Sequence, residues 1–301
     1  MEITRCTYPL LQEEVYSAVL SGGLSIKVIP RPGFAKSYAV FMTHYGSNDS
    51  KFVVPGKSEP TEVPDGIAHF LEHQMFAKSW GDAFAKFSDW GANANAFTAW
   101  TYTGYLFSAT ENFLDCLTFL IDFVQDPYFT EKGTEKEKGI IEQEIRMYED
   151  DPNWRVYFNL LSAMYHQHPA RKDIAGTVES VRSITKELLD DCYNTFYHPS
   201  NMVLVAIGDL DPAEVIAAAE DEIARKGLKE QGEIRRIFPD EPAHNRQAEI
   251  SQKLAVTVPL FALGFKDSSV GERGEALFTK QLTTDLLLHV ILGKSSELFN
   301  S

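Results

Sequence analysis

"PDGIAHFLEHQMF", Pro64 to Phe76, sets two histidines and a glutamate inside an otherwise apolar helical stretch. At about 100° per residue, with His69 at the origin, His73 falls at about 40° and Glu72 at about 300°. Ile67, Leu71, Met75 and Ala68 gather between about 160° and 260° on the same wheel. The apolar stripe and the polar trio therefore take opposite faces of one helix. Imidazoles at i and i+4 stack on successive turns, so His69 and His73 can reach one metal ion. Glu72, beside them, can take a proton from a water at that ion. One face packs while the other presents chemistry.

A hydrolytic zinc site keeps three protein ligands and an open position, so a third carboxylate or histidine must come from a neighbouring element. The stretch "TEKGTEKEKGIIEQEIRMYEDD", residues 130–151, offers many acids, and the wheel sorts them. With Glu137 at the origin, Glu144 lies at about 340°, Tyr148 at about 20°, Ile141 at about 40° and Ile140 at about 300°. Glu142 and Glu135 lie at about 140° and 160°, on the charged face. Glu137 and Glu144 are thus expected among the isoleucines, facing inward. A buried carboxylate is costly unless something positive meets it, and a metal would.

The chain has 301 residues and 44% hydrophobic content, enough for a sizeable core. Its charge of −15 argues against a nucleic-acid partner, whose phosphates need a basic surface, and is compatible with cationic peptides. Cys6, Cys116 and Cys192 are odd in number and form no CxxC pair, which fits a reducing compartment. The N-terminal twenty residues lack the basic and apolar blocks of a leader, and no apolar run is long enough to span a bilayer. The expectation is a cytoplasmic protein that does not cross a membrane.

Strands are expected at residues 24–30 and 37–47, a strand or hairpin at 91–110, and a buried strand at 202–209. Helices are expected at about 111–125, 130–149, 153–166 and 185–197, with a further one punctuated by Pro212 and Gly227. The glycines of "LSGG" read as a strand-entry turn. His166 and His168, at i and i+2, point to different sides and make a poor chelate; His198 reads as part of a helix-end turn. Residues 1–228 form a first domain on this reading, and the polar, Pro-containing stretch 229–246 a linker. Residues 247–301, with a strand-like "KLAVTVPLFALGF" and a helix-like "RGEALFTKQLTTDLLLHVIL", are expected to begin a second domain that is cut short.

His69 to His73 reads H-x-x-E-H, the inverted zinc-peptidase pattern. With "HPSNMVLVAIGDLDP" downstream, the chain resembles the pitrilysin, insulysin and mitochondrial processing peptidase family, most closely its bacterial processing-protease-like members. The resemblance covers residues 20–225 strongly and 245–301 weakly. It implies an α+β fold, a mostly antiparallel sheet covered by helices, followed by the start of a homologous second domain. It also implies one zinc per chain, held by His69, His73 and Glu144, with Glu72 as general base and Glu137 as a supporting acid. Glu144 lies 71 residues after His73 and seven after Glu137, as the family spacing requires.

A sheet-edge strand carrying an Asn-Ala pair, here Asn95 and Ala96, is implied to receive an extended peptide substrate. Such enzymes usually close two halves around the peptide, so a homologous partner chain or a missing second half is expected. The function implied is a zinc-dependent endopeptidase. The alternative is a non-catalytic or partner-dependent subunit of a two-half assembly.

Overall fold

The computed structural model describes residues 1–229, 231–267 and 269–300. Its strands are β1 (Thr4–Tyr8), β2 (Glu13–Val19), β3 (Ser25–Pro30), β4 (Ser37–Thr43), β5 (Lys51–Phe52), β6 (Thr61–Glu62), β7 (Ala77–Lys78), β8 (Gly81–Asp82), β9 (Asn93–Thr98), β10 (Thr103–Ala109) and β11 (Met202–Gly208). Its helices are α1 (Ile67–Met75), α2 (Ala83–Asp89), α3 (Phe113–Val124), α4 (Glu131–Glu149), α5 (Pro152–Met164), α6 (Val178–Arg182), α7 (Lys186–Phe196), α8 (Pro212–Lys226), α9 (Gly274–Leu292) and α10 (Glu297–Asn300). Seven strands make one sheet in the order β1-β2-β3-β11-β4-β10-β9. All neighbours are antiparallel except β11 beside β3. The fold is α+β, with a mostly antiparallel sheet.

Alternation decides which face is covered. Ile26, Val28, Phe41, Tyr105, Phe107, Leu204 and Ala206 are fully buried on one face of the sheet. Against that face pack α1, α3 and α8. Burial of a single Leu or Phe stabilises by roughly 1.5–3 kcal/mol, and these rows join one core cluster with residues of the helices. The hydroxyls of Tyr105 and Tyr197 meet at 2.8 Å inside it.

Local chemistry sets the helix ends. Thr130 caps α4 by accepting from the Gly133 amide at 3.0 Å. Asp151 caps α5 with Pro152 at its first position, and Asp211 caps α8 in the same way. Gly227 closes α8 in the left-handed region. Gly66 starts α1 at φ +89°, and a Cβ there would meet the Ala175 carbonyl oxygen at 2.4 Å. Only glycine allows the loop to tuck this closely, which fixes where α1 begins.

Two expectations need correction. The N-terminal hairpin β1–β2 was not foreseen, because "TRCTY" and "EEVYSAV" carry polar residues and β1 is exposed along its whole length. The strand expected over Lys253–Phe265 does not form. Pro259 removes a donor from its middle, and among the described residues no strand lies beside it to complete a ladder. The helix expected after it is present as α9, but none of its residues is buried.

The polar stretch after Leu228 is fastened to the first region. The Val53 amide donates to Arg235 O at 3.0 Å and the Ile237 amide to Lys51 O at 2.9 Å, while Arg236 pairs with buried Asp49 at 2.9 Å. Glu241 accepts from the amides of His166, Gln167 and His168 and from Lys266. Burial alone would raise its pKa, but these donors outweigh burial and hold it at about 2. No helix among the described residues is long and apolar enough to cross a membrane.

Candidate metal centre

α1 and α4 cross with their polar residues facing each other, and β9 lies alongside α1. His69, His73 and Glu144 each offer one ligand atom, and these atoms lie within 4.8 Å of one another. His69 Nε2 is 3.7 Å from Glu144 Oε1, and His73 Nε2 is 3.6 Å from Glu144 Oε2. In a tetrahedral site with bonds of about 2.1 Å, neighbouring ligand atoms sit about 3.4 Å apart. Two imidazoles and a carboxylate are a donor set that suits zinc.

Each member is oriented by something behind it. His73 Nδ1 donates to Glu137 Oε1 at 3.0 Å, which leaves Nε2 with its lone pair facing Glu144. Gln74 donates to the other oxygen of Glu137 at 3.3 Å. Tyr148 donates to Glu144 Oε1 at 2.9 Å, and its ring stacks on Trp154 at 4.4 Å. Trp154 in turn donates to Asp173. Thr98, at the end of β9, donates to Glu72 Oε2 at 2.7 Å.

The electrostatics follow from burial and neighbours. Burial, helped by the charge of His73, lowers His69 to about 3, so its imidazole is neutral near pH 7. Burial also pulls His73 down, but the hydrogen bond to Glu137 and the charges of Glu72 and Glu144 outweigh it, and the net shift is upward. Burial raises Glu72, partly offset by the Thr98 hydroxyl. Burial and the carboxylate of Glu144 push Tyr148 up to about 12, so it stays a donor. The His69 Nδ1 atom is buried without a hydrogen-bond partner. The cluster fits a bound divalent ion, and among the described residues Glu137 and Glu144 pair with histidines and with no lysine or arginine.

All five residues expected at the centre come together here. On the face of α1 that carries three of them, Glu72 is buried, only 8% exposed, while His69 and His73 are half-buried. One wheel position was wrong: Ile141 is buried, yet Ile140 is 45% exposed on the solvent side. Glu142 lies on the other face of α4, half-buried and held by the Arg182 guanidinium at 2.6 and 2.9 Å. Asn95 and Ala96 fall on β9, which pairs with β10 and is the last strand of the sheet. His168 caps a short turn through Ala170, and His198 sits at the turn before β11. Thr98, Gln74 and the role of Tyr148 went unread in the sequence. The i, i+4 spacing of Glu144 and Tyr148 was the available signal for the last.

Comparison with known proteins adds the following. Residues 53–178 match the family described as "Insulinase (Peptidase family M16)", and residues 183–301 match "Peptidase M16 inactive domain". The chain is 50% identical over 296 residues to the "Uncharacterized zinc protease YmfH" of Bacillus subtilis, covering 98% of this chain and 69% of that protein. It is 32% identical over 160 residues to the zinc protease YmxG of the same organism, covering 52% of this chain and 39% of that one. Among solved structures, an M16-like peptidase from Alicyclobacillus acidocaldarius superposes with a TM-score of 0.87 at 40% identity, covering 96% of this chain and 67% of that one. The first half of the periplasmic protease PqqL from Escherichia coli shares the fold, with a TM-score of 0.59 at 23% identity over 75% of this chain and 48% of that one.

Proposed function

Because the chain belongs to the insulinase-type family of peptidases, family M16, we propose that it is a zinc-dependent endopeptidase acting on peptides or small proteins. The observation that carries this reading is the convergence of His69, His73 and Glu144 on one point with Glu72 beside them. One zinc per chain would be held by those three residues. Bound there, the ion would lower the pKa of a coordinated water to about 7 and polarise the peptide carbonyl.

The protein's own groups do the rest. Glu72, its affinity for a proton raised by burial, takes the proton of the attacking water and returns it to the leaving amine. Glu137 keeps His73 in the tautomer that presents Nε2. Tyr148 steadies Glu144 without competing for its charge. Asn95 and Ala96, on the terminal strand β9, would bind an extended peptide through main-chain hydrogen bonds, which suits broad peptide recognition. The unpaired cysteines fit a cytoplasmic setting.

A second reading is favoured by the match of residues 183–301 to a domain described as inactive. On it, the chain is one partner-dependent part of a two-half assembly, with residues 229–246 linking two domains. The complete His69, Glu72, His73 and Glu144 set in residues 53–178 supports catalysis as the primary reading.

Cleavage of a quenched fluorescent peptide library, before and after zinc chelation, tests it. Chelation should abolish turnover and added zinc should restore it. Turnover that ignores the chelator would contradict the proposal. A rise well beyond about tenfold on adding a homologous second half would favour the two-half assembly, since closure excludes water and completes the site.

A further inference from the structure

We propose that Thr98 is a positioning residue for Glu72, its hydroxyl holding one carboxylate oxygen so that the other is left to meet the water beside the His69–His73–Glu144 cluster. This inference rests on the peptidase reading. Glu72 is nearly buried, and among the described residues the Thr98 hydroxyl, at 2.7 Å, is the side-chain donor it has. A glutamate on a helix can turn about several bonds, whereas a β-branched threonine is stiff at χ1. The stiff partner therefore sets the orientation of the flexible one.

The backbone that carries Thr98 is itself clamped. Thr98 pairs with Thr103 across the β9–β10 hairpin, and the Ala99 amide donates to Tyr102 O at 2.8 Å. From the other side, the Ser47 amide donates to Ala99 O at 3.1 Å and the Asn48 amide to Trp100 O at 2.9 Å. The approach is so close that a Cβ on Gly46 would fall 2.4 Å from the Trp100 carbonyl carbon. Alternation puts Thr98 on the same face as Ala94 and Ala96, which pack on the core.

The same strand has a second use. β9 ends the sheet, so a peptide adding to its free edge would run beside the strand that holds the base. Substrate docking and base orientation then share one rigid element. Thr98 would thus act on turnover and leave peptide affinity and metal binding alone.

The test is a set of Thr98→Val, Thr98→Ala and Thr98→Ser variants, with kcat, KM, zinc content and thermal midpoint measured for each. The valine and alanine forms should lose about 10–100-fold in kcat, with KM and zinc content within about twofold of wild type. The serine form, which keeps the hydroxyl, should recover to within about threefold. A valine form of unchanged kcat, a serine form as poor as valine, or a loss confined to KM would each overturn the proposal. Wild-type protein that cleaves no peptide, alone or with a homologous second half added, would sink the peptidase reading instead. Crystal structures of metal-free wild type and Thr98→Val would still decide Thr98: a reoriented Glu72 supports the proposal, and an unmoved one overturns it.

Discussion

The two faces of α4 carry the same residue type and do different work. On the inner face, Glu137 and Glu144 meet His73 and His69 across the crossing with α1. On the outer face, two residues from Glu144, Glu142 meets the largely exposed guanidinium of Arg182. The chemical group is identical, and about 160° of helical rotation separates the two outcomes. Both side chains are about equally covered, Glu144 at 21% and Glu142 at 18% exposure, so the partner makes the difference: imidazoles that can share a metal ion on one face, a largely exposed guanidinium screened by water on the other. Residue type names a candidate, and rotation about the helix assigns it.

The strongest way to sharpen this contrast is to separate proton transfer from metal holding at the inner face. Glu72→Gln keeps the shape and the Thr98 contact but cannot accept the proton. Peptidase activity should fall by about 10²–10⁴-fold while zinc content stays at the wild-type level. Activity within a few-fold of wild type would mean that another group serves as base.

A smaller effect is expected from Glu137→Gln. The amide can still meet His73 Nδ1, but without charge and with a weaker hold on the tautomer. Zinc affinity or activity should drop by about 10–100-fold, read by competition with a fluorescent chelator. The smallest effect belongs to the outer face: Glu142→Gln should leave activity within about twofold. A loss there as large as that of Glu137→Gln would erase the difference between the faces.

The centre was largely legible before the fold was. The i, i+4 histidines and the inward pair Glu137 and Glu144 follow from helical geometry alone, because their partners lie on two helices with strong periodicity. The exposed Ile140 shows where that reasoning stops: a wheel gives direction but not how far the neighbouring element reaches. Thr98 was invisible for a different reason, since it meets Glu72 through strand-to-helix packing 26 residues away. The β1–β2 hairpin was missed because it is built on backbone pairing with no buried face on β1. Lys253–Phe265 misled in the opposite sense, with strand-forming residues but, among the described residues, no neighbouring strand to pair them. Phe261, in that stretch, stays 86% exposed.

On the proposed function, His69, His73 and Glu144 hold one metal ion and Glu142 does not. Metal analysis of the purified chain after mild dialysis tests it most directly, alongside His73→Ala, Glu144→Gln and Glu142→Gln. Close to one zinc per chain is expected for wild type and for Glu142→Gln, with zinc lost in His73→Ala and strongly depleted in Glu144→Gln. Full zinc in His73→Ala, or equal depletion in the two glutamine variants, would contradict it.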